Sequence, residues 1–288
     1  MGSEGLLLLA AAIWGFAFAA QRAGMAHVGP FLFNGLRFAL GCLPLLPFLS
    51  RWHRQEPAAL SRAAVARGVG LGAVLFAAAS LQQVGIVHTT AGKAGFITGL
   101  YVVLVPLFGL AIGHRAGPWA WAGATVAAVG LYLLSAQADL RMEAGDLLVL
   151  ACAAVWAVHV LLVDRLVRQV HWSLLAFTQF ATCAALSLGV AALSEPASAA
   201  AVGAAAWPLL YAGALSVGVG YTLQVVGQRG APPAPAAIIL SLEAVFAALG
   251  GWLVLGEQLS SRELAGCALM LAGMVASQLA PPKKLENE

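Results

Sequence analysis

Charged side chains are scarce in this sequence. Asp, Glu, Lys and Arg together make up 9% of the 288 residues, whereas 61% of the residues are hydrophobic. Soluble domains carry about 25% charged residues, which supply most of the polar surface that faces water. A chain with so few charges cannot form such a surface. The composition therefore excludes an ordinary soluble domain and predicts a protein embedded in a lipid bilayer.

Motifs for nucleotide hydrolysis, metal binding and nucleophilic catalysis are also missing. The Gly-Lys pair Gly92-Lys93 lacks the upstream Gly and the following Ser/Thr of a phosphate-binding loop. No HExxH or CxxC sequence occurs, and Ser216 in GALSVGVG has no positioned base. We therefore expect no enzyme, no metal site and no cofactor. An intramembrane enzyme is an alternative that would need a catalytic dyad.

The apolar residues form segments of the length that crosses a bilayer. About 20 apolar residues in a helix span the ~30 Å hydrocarbon layer. The chain is therefore predicted to be an all-α integral membrane protein with ten transmembrane helices, and it has no room for a soluble catalytic domain. The predicted segments are 5–23, 31–49, 68–87, 94–113, 117–136, 146–163, 174–193, 206–227, 235–255 and 263–280.

The positions of the basic residues predict the orientation of the chain. Loops on the cytoplasmic side of a membrane carry the excess of Lys and Arg. With the N-terminus inside, the inner loops hold Arg51, Arg54, Arg62, Arg67, Arg115, Arg165, Arg168, Arg229, Lys283 and Lys284, and the outer loops hold Arg22, Lys93, Arg141 and Arg262. We therefore expect a multi-pass protein of a bacterial-type inner (cytoplasmic) membrane, with both termini cytoplasmic. A nucleic-acid patch is the competing interpretation of the first inner loop, but topology alone explains its arginines, so no nucleic-acid partner is expected.

Parts of the sequence occur twice, at an offset of 142 residues. The stretch LQQVG at 81–85 returns as LQVVG at 223–227. A shared offset at Trp and Gln, which are rare in this chain, indicates an internal duplication. The matched pairs are Trp14 with Trp156, Phe38 with Phe180, Gln82 with Gln224, Gly85 with Gly227 and Gly109 with Gly251, and GATVAAVG at 123–130 matches GCALMLAG at 266–273 with one residue of slip.

The duplication predicts two five-helix repeats, one over residues 5–136 and an inverted one over residues 146–280. A copy with an odd number of crossings enters the membrane from the opposite side, so the two copies are related by an axis in the membrane plane. Transporters use this arrangement for alternating access, with the substrate near the midplane between the repeats. A channel is an alternative, but it would need a filter or a pore-lining ring.

Two tryptophans and one histidine are predicted at the depth of that midplane. Trp14 and Trp156 lie about nine residues into their segments, roughly 14 Å deep. They form either the walls of a cavity or part of the packed bundle. His159 follows Trp156 by three residues and shares its helix face. It is either a substrate ligand, a proton carrier or a packing residue.

Several uncharged polar residues are candidates for substrate binding. Gln82, Gln224 and Tyr101 lie in apolar segments, where their polar groups need hydrogen-bond partners. They either contact substrate or join neighbouring helices. Weaker candidates of the same kind are Asn34, Thr98 and Tyr221.

Two charged residues lie inside predicted segments. Arg37 is about six residues from the outer end of its segment, so we expect its side chain to extend partway towards the headgroups. Glu243 is about eight residues from the inner end, roughly 12 Å deep. An intramembrane carboxylate is a functional candidate, and here it is either a proton-coupling group or a structural hydrogen-bond partner.

Three stretches resemble the EamA-type drug/metabolite transporter superfamily: IILSLEAVFAALGGWLVLGEQLSSRELAGCALMLAGM at 238–274, AGFITGLYVVLVPLFGLAIGHR at 94–115 and AAAIWGFAFA at 10–19. Ala244 stands where the family often has proline. The chain is most similar to the YddG-type amino-acid exporters of that superfamily. The resemblance implies a substrate cavity among helices 1, 3, 4, 6, 8 and 9, which carry Trp14, Gln82, Tyr101, Trp156, His159 and Gln224.

The resemblance implies an exporter of small neutral or aromatic amino acids, and the few candidate charges of the cavity agree with a neutral substrate. An exporter of drugs or other small apolar metabolites is the alternative. The expected partners are a small-molecule substrate, either an amino acid or a related metabolite, and the lipid bilayer. A monomer is compatible with the sequence.

Overall fold

The computed structural model describes residues 2–56, 60–89, 91–114, 116–135, 144–255 and 260–278. All regular structure in these ranges is helical. The α-helices are α1 (Ser3–Gly24), α2 (Pro30–Cys42), α3 (Leu46–Gln55), α4 (Arg62–Val87), α5 (Ala91–Gly99), α6 (Tyr101–Ala111), α7 (Pro118–Ser135), α8 (Ala144–Leu166), α9 (Trp172–Ser194), α10 (Ala199–Ala204), α11 (Ala206–Leu210), α12 (Thr222–Gly227), α13 (Pro233–Leu240), α14 (Glu243–Leu255) and α15 (Ser261–Gln278). A 3₁₀ turn spans Leu43–Leu45 and a π-helical segment spans Tyr211–Tyr221.

Within the described ranges, seven helical stretches are long and apolar enough to cross a membrane. A shorter apolar stretch, Pro233–Leu249, follows them. The predicted segments 117–136 and 263–280 overlap α7 and α15. The chain is thus an all-helical, multi-pass membrane protein, and the sequence-based prediction is confirmed at that level.

Prolines interrupt the second predicted segment. Helix α2 ends at Cys42, the 3₁₀ turn contains Pro44, and α3 then continues to Gln55, beyond the predicted end at residue 49. Proline has no backbone N–H and cannot complete the α-helical hydrogen-bond pattern, which explains the break. The N-terminus of α2 is capped by Glu195, whose carboxylate accepts hydrogen bonds from the backbone N–H groups of Phe31 at 2.9 Å and Leu32 at 2.7 Å.

Two further breaks occur at matching places in the two halves. Leu100 separates α5 from α6, and Ser241 and Leu242 separate α13 from α14. Leu100 and Leu242 differ by the same 142 residues as the sequence repeats. Each break therefore places a polar residue at the first position of the following half-helix: Tyr101 in α6 and Glu243 in α14.

Helices α7 and α15 pack against each other through glycines. A Cβ on Gly123 would lie 2.6 Å from the carbonyl oxygen of Gly273, and a Cβ on Gly130 would lie 2.7 Å from that of Gly266. Only glycine permits such an approach of two backbones, and small residues form contacts of this kind between membrane helices. Residue numbers rise along one helix as they fall along the other, so the two helices are antiparallel.

A second pair of contacts is related by the offset of 142. A Cβ on Gly85 would lie 2.6 Å from Val149 Cγ2, and a Cβ on Gly227 would lie 2.9 Å from Leu7 Cγ. Leu7 and Val149 are themselves 142 residues apart. Each half thus presses a glycine of one helix against an aliphatic residue of the first helix of the other half.

The substitution Gly130→Ala tests the α7–α15 contact. The added methyl group meets backbone atoms of Gly266 and Met270 at 2.7 Å, so the helices must separate. We expect the free energy of unfolding to fall by about 1–3 kcal/mol, with a lower melting temperature in detergent. Gly70→Ala is the matched control, because nothing lies within 4 Å of its Cβ position. Equal melting temperatures for the two variants would contradict the close contact.

Candidate functional site: a closed cavity between the two halves

A small cavity lies in the interior of the helix bundle. Side chains from α1, α2, α4, α5, α6, α8, α12, α13, α14 and the π-helical segment line it, so both halves of the chain contribute. Its volume is about 30 Å³. This is enough for about two water molecules. The conformation is therefore closed, and an organic solute requires the walls to separate.

Aromatic rings form one wall of the cavity around Tyr221. Its ring centroid lies 4.6 Å from that of Trp14, 5.8 Å from Trp156, 5.9 Å from Phe38 and 6.0 Å from Phe180. Trp14, Trp156 and Tyr221 face the cavity. The two tryptophans that the offset pairs therefore meet the same tyrosine, one from each half. Tyr221, one of the weaker candidates by sequence, is the centre of this wall.

A hydrogen bond fixes the ring of Trp14. Its Nε1 donates to the backbone carbonyl oxygen of Ser216 at 3.2 Å. That carbonyl lies in the π-helical segment, and segments of this kind occur frequently at functional sites. The bond links α1 of the first half to the second half beside the cavity.

His159 lies behind this wall. Its ring meets that of Trp156 edge-on with centroids 5.3 Å apart, as the shared helix face predicts. The imidazole is fully buried, is absent from the cavity lining, and its Nε2 is 2.9 Å from Gln179 Oε1 of α9. In this conformation His159 therefore supports Trp156, and it does not face the cavity.

The two glutamines that the offset pairs both line the cavity. Gln82 Nε2 donates to Thr98 Oγ1 at 3.3 Å, which joins α4 to α5. Gln224 is 1% exposed, and its Oε1 has no hydrogen-bond partner among the described residues. Gln82 therefore connects two helices, whereas the amide oxygen of Gln224 remains free to accept a hydrogen bond.

Tyr101 and Glu243 meet across the cavity. The Tyr101 hydroxyl donates to Glu243 Oε1 at 3.4 Å, and both side chains line the cavity. They are again 142 residues apart, and each begins a half-helix. A carboxylate is favoured at the N-terminus of a helix, where backbone N–H groups are unpaired.

Arg37 also lines the cavity, and this corrects the expectation that its side chain extends towards the headgroups. The residue is 1% exposed, because α2 packs against α4, α9 and the π-helical segment and this face is turned inward. Its Nε donates to Asn34 Oδ1 at 2.9 Å, and its guanidinium lies 5.0 Å from the ring centroid of Phe38. Nη2 has no hydrogen-bond partner among the described residues.

Residues 2–136 and residues 143–277 each match the sequence model of the EamA-like transporter family. The chain belongs to this family. Both halves match the same model, so this EamA-like protein contains the family's domain twice.

Two relatives are similar over nearly the whole chain. An uncharacterized transporter of Archaeoglobus fulgidus is 31% identical over 274 residues, which cover 95% of this chain and 84% of the relative. The uncharacterized transporter YoaV of Bacillus subtilis is 24% identical and covers 91% of each chain. A protein of known crystal structure shares 22% identity and the same fold, with a TM-score of 0.80 over 96% of each chain.

Substitution of Tyr221 tests the aromatic wall. Tyr221→Ala removes the ring that the four other aromatic residues contact, so we expect a loss of about 3–5 kcal/mol of stability. Tyr221→Phe keeps the ring, and its melting temperature should stay close to that of the wild type. Thermal unfolding in detergent distinguishes the two. A Phe variant as unstable as the Ala variant would mean that the hydroxyl carries the contribution.

Proposed function

We propose that this EamA-like protein is a secondary transporter that exports small neutral or aromatic amino acids across the inner membrane by alternating access. The cavity carries this proposal. It combines an aromatic wall, amide and hydroxyl groups and one residue of each charge, contributed by both halves of the chain. Such a lining suits a small solute that is partly apolar and carries both charges.

The proposal includes ten transmembrane helices in two inverted repeats, over residues 5–136 and 146–280. The glycine contacts of α7 and α15 support the inversion. With the slip of one residue, Gly123 corresponds to Gly266 and Gly130 to Gly273. Exchanging the two halves therefore converts the contact of Gly123 with Gly273 into the contact of Gly266 with Gly130. A two-fold axis produces this exchange. Because the helices are antiparallel, the axis lies perpendicular to them, in the membrane plane.

The closed cavity and the broken helices fit alternating access. Substrate sites of transporters with inverted repeats are formed by discontinuous helices near the repeat interface. Here the breaks at Leu100 and at Ser241–Leu242 border the cavity, so movement at either break would open one side of it. Equivalent breaks in the two halves give inward-open and outward-open states of similar energy.

The charges of the lining separate the candidate substrates. A phosphate ester or a nucleotide sugar would favour several Arg or Lys residues, and the lining contains only Arg37 among the described residues. The aromatic wall suits the second candidate, a lipophilic drug or other apolar metabolite, as well as it suits an amino acid. Transport assays distinguish these two classes, because only an amino acid engages the charged groups.

Under this proposal, the substrate contacts Trp14, Gln82, Tyr101, Trp156 and Gln224 directly. We assign His159 a supporting role through Trp156.

The loop charges favour cytoplasmic termini, as expected from the positive-inside rule.

Counterflow in proteoliposomes tests the substrate class. Vesicles loaded with one neutral amino acid should take up labelled aromatic and aliphatic amino acids in a saturable, protein-dependent manner. Trp156→Ala, which enlarges the cavity, should change the apparent affinity, whereas His159→Asn should change it less. Absence of exchange for the whole panel with folded protein would favour drugs or apolar metabolites.

Proton coupling is tested separately at Glu243. If this carboxyl group carries the coupling proton, a pH gradient drives uptake by the wild type and no longer drives it in Glu243→Gln. Exchange without a gradient should persist in the variant at saturating substrate, because it needs no net proton movement. A pH gradient that drives both proteins equally would leave Glu243 with a structural or binding role.

A further inference from the structure

We infer that Arg37 and Glu243 bind the two ends of a zwitterionic substrate, with the carboxylate at Arg37 and the ammonium group at Glu243. This inference rests on the proposed function and specifies how an amino acid is recognised. It assigns a binding role to Arg37, which the sequence alone placed near the membrane surface.

Among the described residues, Arg37 is a buried cation without a counter-ion. Within the described ranges it forms no ion pair, and its polar contact is the hydrogen bond from Nε to Asn34. The rings of Phe33 and Phe38, with centroids 5.8 and 5.0 Å from the guanidinium, compensate only part of the lost hydration. A buried charge is costly unless it is paired and hydrogen-bonded. The unpartnered Nη2 beside the cavity leaves room for an anionic ligand group.

Glu243 supplies the opposite charge to the same cavity. It is 5% exposed, and its contact with a side chain is the long 3.4 Å hydrogen bond from Tyr101. No ion pair between Glu243 and Arg37 occurs in the described structure. Arg37, Tyr221 and Glu243 all line this cavity. A ligand in the cavity can therefore meet both charged residues.

The two halves of the chain differ at both charged positions. The position equivalent to Arg37 is Gln179, which is fully buried and bonds to His159 behind the wall. The position equivalent to Glu243 is Tyr101. The same architecture is thus built once with each charge and once without it. Because a structural requirement would apply to both copies, the charges point to a ligand.

A zwitterion satisfies both charges at once. A ligand with only a carboxylate would leave Glu243 unpaired in a closed, water-poor cavity, and a ligand with only an ammonium group would leave Arg37 unpaired. Either mismatch is expected to weaken binding, because hydrogen bonds to charged groups contribute about 10- to 100-fold in affinity. Specificity then arises largely from the unpaired charge in the wrong complex.

Three ligands that share one side chain test the inference. L-Phenylalanine has both charged groups, phenethylamine lacks the carboxylate, and 3-phenylpropionate lacks the ammonium group. Binding to the purified full-length protein is measured by calorimetry and by thermal stabilisation. If the transport panel favours aliphatic substrates, L-leucine, 3-methylbutylamine and 4-methylpentanoate replace them. The wild type should bind the amino acid about 10- to 100-fold more tightly than either analogue.

The variants assign each end of the ligand. Arg37→Gln should weaken binding of the amino acid and of the carboxylic acid, and it should leave binding of the amine unchanged. Glu243→Gln should weaken binding of the amino acid and of the amine, and it should leave binding of the acid unchanged. Gln179→Met, at the position equivalent to Arg37 and outside the cavity, is the control and should keep the preferences of the wild type. If Arg37→Gln does not fold, Arg37→Lys serves instead, since it keeps the charge but loses the planar guanidinium.

The possible results separate this inference from the proposed function. Loss of the predicted preference in each variant supports it. If the variants weaken binding of all three ligands equally, or leave the preference for the amino acid unchanged, the inference is overturned while amino-acid transport stands. If folded wild-type protein binds neither the phenylalanine series nor the leucine series, the proposed function and this inference both fail.

Discussion

The absence of water in the hydrocarbon layer is the constraint on which this structure depends. Each backbone polar group must find its partner inside the protein, so the membrane segments are helical. The same rule applies to side chains. Polar residues at depth, such as Gln82, Gln224 and Arg37, line one closed cavity, while aliphatic residues fill much of the remaining interior. Other buried polar side chains, such as His159 and Gln179, bond to each other outside the cavity. The polar groups that line the cavity are therefore the ones that are informative about a ligand.

Close packing through glycine makes this arrangement possible. Hydrophobic burial gives little drive for association between helices in lipid, so backbone contacts such as those of Gly123 and Gly130 matter more than in water. These contacts recur in both halves, and so do the helix breaks before Tyr101 and Glu243. The repeated elements form the scaffold, whereas the differences between the repeats give the cavity its chemistry. Arg37 opposite Gln179 is the clearest such difference.

Sequence alone predicted much of the cavity lining. The offset pairs Trp14 with Trp156 and Gln82 with Gln224; predicted depth singles out the tryptophans, and polarity within apolar segments singles out the glutamines. All four line the cavity. Helical periodicity also brought His159 to the face of Trp156. It could not show on which side of that ring the neighbouring helix α9 would lie. The direction of a side chain in a bundle depends on helix packing, which a single sequence does not contain.

The predicted orientation of Arg37 was wrong for the same reason. Distance along the helix placed it within reach of the headgroups, but the angle about the axis of α2 determines what it meets. That angle turns it to the aromatic wall, where its guanidinium lies 5.0 Å from the ring centroid of Phe38. Among the described residues, this buried cation has one hydrogen-bond partner, Asn34. Closure of the cavity without a ligand therefore leaves the charge poorly compensated, and a ligand carboxylate would stabilise the closed state that the empty protein only tolerates.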